Sequence, residues 1–258
     1  MKLAFEEHGE GKPFVLLHAF PLSRKMWMPQ ISAFKSRNYR LILPDLRGFG
    51  ESHSFSDINS MEDMAKDVAE LLEALKVEKA IIGGLSMGGY VTFELFRLFP
   101  EKFAAIVLCD TNSFADTDEK RESRFDLIEK IEKNGVQSLI EAILINSISD
   151  YTKKNNHTLL EQLEKSFNEV NPKATIAALH GMAQRNDNSK ALNGNSLPAL
   201  LIFGKEDAVT NLETAEEMRR GISNSNLILI EDAGHYSSLE QPSRFNTILD
   251  NFLSQVKF

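Results

Sequence analysis

Six short, uninterrupted apolar runs constrain this chain more than any other feature. They are Phe14–Leu17, Leu41–Leu43, Ala80–Ile82, Ala105–Leu108, Ala199–Phe203 and Leu227–Ile230. A strand with one wet face alternates apolar and polar residues, so an unbroken run of this length suits a strand covered on both faces. Gly, Pro or Asp follows each run closely, where a strand would give way to a loop. Stretches with helical periodicity lie between them: Ser60–Leu75, Gly89–Leu98, Asn211–Ile222 and Pro242–Phe252. Ser60 with Asp63 reads as a capping-box variant, and Pro100 stops the second helix. Strand and helix in alternation predict a parallel sheet with right-handed crossovers.

The alternation fails once. Between Asn112 and about Ala191 no strand is evident, and four helical stretches follow one another: Lys120–Lys133, Val136–Ile145, Thr158–Val170 and Pro172–Ala183. The domain boundaries expected are therefore an α/β core of residues 1–112 and 192–258 and a helical lid over 113–191.

The 258 residues suffice for one such domain, and 42% hydrophobic with 26% charged residues is ordinary globular composition. A formal net charge of -8, with no block of Lys and Arg, argues against nucleic acid as a partner. One cysteine, Cys109, allows no internal disulfide and fits a reducing compartment. Acidic residues precede any long apolar run at the start, and no stretch is long enough to span a bilayer. A cytoplasmic protein with no membrane association, monomeric or homodimeric, is expected.

Gly84-Leu85-Ser86-Met87-Gly88 matches G-x-S-x-G between a predicted strand and a predicted helix. A sharp strand-to-helix turn there would lift the Ser86 hydroxyl clear of the sheet, with the helix N-terminus behind it. Serine needs a base, and of six histidines His235 lies directly after the last strand. His8, His53, His157 and His180 read as surface or packing residues, and His18 as a loop-stabilising one. Asp207, after the strand ending at Phe203, completes the chain order Ser, Asp, His; Glu206 and Asp110 are its rivals. Backbone N–H groups of Phe20 and Met87 are the expected oxyanion donors. Phe20, Trp27, Phe114, Ile143, Leu144 and Met182 are candidates for an apolar substrate pocket.

Five motifs in order, His18-Ala19-Phe20-Pro21, Asp45 to Ser52, Gly84 to Gly89, Gly204 to Asp207 and Gly234-His235, resemble the α/β-hydrolase superfamily. With Pro21 to Ser23, Met26-Trp27 and Gly181 to Asp187, the chain looks most like the branch of small esterases, 3-oxoadipate enol-lactonases and cofactor-free haloperoxidases. The resemblance implies an eight-stranded, mostly parallel sheet with helices on both faces, a helical lid and no cofactor or metal. It makes Asp45–Ser52 a structural turn, in which Arg47 pairs with a carboxylate, and Arg185 the candidate cation at the lid hinge. The function expected is hydrolysis of small or medium esters or lactones through an acyl-enzyme on Ser86. Cleavage of a C–C bond, perhydrolysis, and small-molecule reception that retains the triad stand as alternatives.

Overall fold

The computed structural model describes residues 2–258. Seven strands form one sheet: β1 Phe5–His8, β2 Lys12–Leu17, β3 Tyr39–Pro44, β4 Ala80–Leu85, β5 Phe103–Cys109, β6 Ala199–Gly204 and β7 Ser225–Ile230. Their spatial order is β1-β3-β2-β4-β5-β6-β7. All neighbours run parallel except β1, which pairs antiparallel with β3.

The six apolar runs all lie within parallel strands. β4, β5 and β6 are buried along their whole length, which is why their sequences do not alternate. The expected eighth strand is absent among the described residues, and the strand without an apolar run is β1. Its sequence, Phe5-Glu6-Glu7-His8, sits at the antiparallel edge, partly open to water, where glutamates cost nothing.

The helices are α1 Met28–Phe34, α2 Met61–Ala74, α3 Met87–Leu98, α4 Asp118–Asn134, α5 Gln137–Leu139, α6 Ile145–Ser147, α7 Asp150–Asn155, α8 His157–Asn168, α9 Pro172–Ala183, α10 Leu212–Gly221, α11 Ser237–Glu240 and α12 Pro242–Leu253. A π-helical turn, Ile140–Leu144, joins α5 to α6. The Ser60 hydroxyl caps α2 by accepting the Asp63 N–H at 3.0 Å and bonding the Asp63 carboxylate at 2.8 Å. Among the described residues no helix is long and apolar enough to cross a membrane.

Although 89 residues separate them, β5 and β6 are adjacent and in register, with Ile106 opposite Ala199. The sheet is thus continuous across the α4–α9 stretch. Gly135 ends α4 in the left-handed region at φ 75°, and the Asn156 side chain caps α8 where α7 stops. The turn from Asp45 to Ser52 is tied down by buried ion pairs. Arg24 binds Asp45, Glu6 and Glu51, and Arg47 binds Asp67 at 2.6 Å. Gly50, at φ 52°, leaves no room for a Cβ against the Asp45 carboxylate.

From β2 the chain crosses one way to β3 and then back past β2 to β4. The carboxyl ends of β2 and β4 therefore flank the topological switch point, where open α/β sheets bind ligands.

Candidate active site

At that switch point β4 ends and α3 begins with a single residue between them, Ser86. Its backbone sits at φ 53° and ψ -113°, a conformation L-residues rarely adopt. The surroundings hold it there. Its N–H donates to the Cys109 carbonyl at 3.0 Å, and its own carbonyl accepts the Thr111 hydroxyl at 2.8 Å. The flanking glycines are a steric requirement. A Cβ on Gly84 would strike the Gly88 backbone, and one on Gly88 would strike the Leu17 carbonyl. The strand-to-helix turn can approach the β2 loop this closely only because both side chains are missing.

His235 comes from the loop after β7. Its Nε2 lies 2.8 Å from Ser86 Oγ, and its Nδ1 lies 2.9 Å from Asp207 Oδ2. Asp207 comes from the loop after β6. Its Oδ1 accepts the N–H groups of Val209 at 2.8 Å and Thr210 at 3.0 Å, and its Oδ2 also accepts the Thr210 hydroxyl. Burial pushes the Asp207 carboxyl up, but the neighbouring His235 and the Thr210 bonds outweigh it and hold it below its usual value. The carboxylate is thus ionised against His235.

The two rival acids are engaged elsewhere. Glu206 turns outward and accepts the Asp150 N–H at 2.9 Å. Asp110 accepts the Gly204 N–H at 2.7 Å and the Ser237 hydroxyl at 2.5 Å. It therefore links the roots of the two loops that carry Asp207 and His235. Burial pushes the Asp110 carboxyl well above its ordinary range, and the charge on Asp207 pushes it the same way. A carboxyl raised in the fold weakens the fold as pH climbs, because the unfolded chain ionises first, near about pH 4. Asp110→Asn removes that cost and keeps the hydrogen-bonding atoms. Its melting temperature is expected to match wild type below about pH 4 and to exceed it by a margin that grows toward neutrality. Thermal melts across that range check this; equal melting at every pH would mean that Asp110 ionises normally.

His18 is buried. It meets the Ala19 carbonyl through Nδ1 at 3.0 Å and accepts the Leu46 N–H through Nε2 at 2.9 Å. Burial lowers its pKa, so it is a neutral brace for the β2 loop. In that loop the Phe20 N–H, like the Met87 N–H that opens α3, donates to no protein acceptor among the described residues. No group of three or more His, Cys, Asp or Glu among the described residues is arranged to hold a metal ion.

Ser86 and His235 open onto a cavity of about 380 Å³. Phe20, Ile143 and Met182 line it as anticipated, together with Tyr90, Leu127 and Leu179. Three anticipated lining residues lie elsewhere. Trp27 is fully buried and stacks against Phe245 of α12 with ring centroids 6.4 Å apart. Phe114 faces a separate, smaller cavity beside Phe93 and Met218. Leu144, one step round the π-helical turn from Ile143, points into the core. Arg185 is no free cation: it bonds Asp116 and the Phe114 carbonyl, and its guanidinium lies 4.2 Å from the Tyr90 ring.

Sequence reasoning missed Glu240, which is buried without a cation. Its Oε1 accepts the N–H groups of Gly234 at 3.0 Å and Tyr236 at 3.3 Å, on either side of His235, and its Oε2 accepts the Ser149 N–H at 2.9 Å. The Ser147 carbonyl accepts the His235 N–H at 2.7 Å. The chain just after α6 is thereby fastened to the loop that carries the imidazole. The one available signal was an acidic residue five positions after His235 at the start of an amphipathic helix.

Comparison with known proteins agrees with this geometry. A family model described as alpha/beta hydrolase fold matches residues 12–242. The chain is 29% identical over 232 residues to 3-oxoadipate enol-lactonase 1 of Acinetobacter baylyi, covering 90% of this chain and 85% of that protein. Among solved structures, a thermophilic esterase from Thermogutta terrifontis, malate bound, superposes with a TM-score of 0.95 at 36% identity, covering 99% of this chain and 94% of that one. The enol-lactonase of Burkholderia xenovorans shares the fold, with a TM-score of 0.90 at 23% identity over 98% of this chain and 96% of that one. With the family match spanning nearly the whole chain, and Ser86 seated in a strand-to-helix turn on a mostly parallel sheet, the protein belongs to the α/β-hydrolase family.

Proposed function

We propose that this protein hydrolyses small or medium carboxylic esters or lactones through an acyl-enzyme on Ser86, with His235 as base and Asp207 as the residue that orients it. One observation carries the reading: Ser86 Oγ, His235 and Asp207 form a continuous hydrogen-bonded chain at the wall of a cavity. The esterase and enol-lactonase named above act on ester bonds by their names, which supports the same reading.

In the first step His235 Nε2 takes the proton of Ser86 as its oxygen attacks the substrate carbonyl. The uncommitted N–H groups of Phe20 and Met87 supply the donors for the oxyanion, and the N-terminus of α3 adds its dipole. As the tetrahedral intermediate collapses, the imidazolium gives its proton to the departing alcohol. Water, deprotonated by the same nitrogen, then cleaves the acyl-enzyme. Ionised Asp207 holds the imidazole with Nε2 free toward Ser86 and offsets the charge it gains. In this reading residues 113–191 are the lid, and a cavity of about 380 Å³ sits at the small end of ligand pockets, which sets the substrate size.

The test is covalent labelling with a fluorophosphonate, followed by peptide mapping. A single modified residue, Ser86, is expected, with no labelling of the Ser86→Ala protein. Labelling elsewhere, or none on folded wild type, would remove Ser86 from the mechanism.

A further inference from the structure

A buried charge imbalance lies under one wall of the catalytic cavity. The Asp116 side chain is fully buried and receives two guanidiniums. Arg124, on α4, donates to it from Nε at 2.5 Å and Nη2 at 3.3 Å, and Arg185 donates from Nη1. Burial pushes the Asp116 carboxyl up, but Arg124 and Arg185 outweigh it and hold it below its usual range, so it is charged. The cluster therefore carries one positive charge in excess. A single guanidinium would have balanced the carboxylate, and an uncompensated cation out of water is costly.

The two arginines are not equivalent. Arg185 has its remaining nitrogens on the Phe114 carbonyl at 2.9 Å and Asn112 Oδ1 at 3.4 Å, and it does not reach the cavity. Arg124 does line the cavity, with its side chain 12% exposed. The acceptor resolved for its Nη1 is the Met182 sulfur at 3.5 Å, a weak partner. Lys120 and Lys130 of the same helix also border the space, against one carboxylate, Asp126. The cavity that holds Ser86 is thus electropositive within a chain whose net charge is -8.

We propose that Arg124 is a carboxylate subsite, and that the preferred substrates are esters whose acyl chain ends in a free carboxylate. The inference rests on the acyl-enzyme reading above and names the substrate class of that site. Arg124 belongs to the buried wall, so it meets the acyl portion that stays on Ser86 while the alcohol leaves. The planar fork of a guanidinium suits a carboxylate, and the substrate's charge cancels the excess of the cluster.

The experiment compares monomethyl glutarate with methyl valerate, which replaces the carboxylate by a methyl group, by pH-stat in wild type, Arg124→Gln and Arg124→Lys. Either substitution leaves Arg185 to balance Asp116. The ratio of kcat/KM for the two esters is expected to fall by about 10- to 100-fold in Arg124→Gln, chiefly through KM, and to recover in part in Arg124→Lys. Added salt lowers the wild-type ratio. In parallel, glutarate at matched ionic strength raises the melting temperature of wild type and of Ser86→Ala, but not of Arg124→Gln. An unchanged ratio with both esters turned over would overturn the subsite and leave the hydrolase standing. If neither ester is cleaved while glutarate still stabilises Ser86→Ala through Arg124, the subsite stands and the hydrolase reading fails. If Arg124→Gln does not fold, wild type and Arg124→Lys supply the ratio, and no preference for the carboxylated ester in either overturns the proposal.

Discussion

Ser86→Ala is expected to lower kcat toward p-nitrophenyl butyrate by about 10⁴- to 10⁶-fold, with KM changed far less. The residue lost is the only one that forms the covalent bond, so nothing can substitute for it in the first step. What remains is the cavity, the amides of Phe20 and Met87 and the dipole of α3, which together leave a residual rate above the uncatalysed one. The fold should survive. Ser86 is held by its backbone bonds to Cys109 and Thr111, which Ala retains. Steady-state kinetics on protein that melts like wild type is the measurement, and activity within about tenfold of wild type would transfer the nucleophile elsewhere.

The second large effect is expected at the acid. Asp207→Asn should cost about 10³- to 10⁴-fold in kcat, while Asp110→Asn should stay within about tenfold of wild type. The difference follows from what each carboxylate touches. Asp207 Oδ2 faces His235 Nδ1 at 2.9 Å. An amide nitrogen there would donate to Nδ1, fix the proton on Nε2, and present Ser86 with a donor where it needs an acceptor. Asp110 instead bonds Gly204 and Ser237, and an Asn side chain can make both bonds. Rate profiles for both variants over about pH 5 to 9 decide the matter. A reversal of their order would make Asp110 the partner of the imidazole.

The Asp110 result bears on a question that chain order alone leaves open. Both aspartates follow buried strands, and both could supply the acid. Their roles diverge because β5 and β6 are neighbours: Asp110 ends up under the two loops, beside Gly204 and Ser237, whereas Asp207 sits on top of them. Arg124 makes the same point. In the sequence it is one of several charged residues on α4. Only the meeting of α4 with the end of α9 puts it on Asp116 beside Arg185 and gives the cavity its positive wall.

The sequence by itself determined the parallel core, the G-x-S-x-G turn and the positions of Asp207 and His235 after their strands. These are local properties. A strand buried on both faces must be apolar throughout, a turn with no room for a Cβ must be glycine, and loops at the carboxyl edge are set by where strands stop. Tertiary structure alone decided the rest. Trp27, Phe114 and Leu144 are as apolar as Phe20, Ile143 and Met182, and no period in the chain says which three face the cavity. That depends on α12 closing over Trp27 and on the phase of one π-helical turn at Ile143. The antiparallel strand β1 was hidden for a related reason: an edge open to water imposes no apolar run. Glu240 and Arg124 act through partners about 90 and 60 residues away, Ser149 and Arg185, so their roles exist only after the chain has folded.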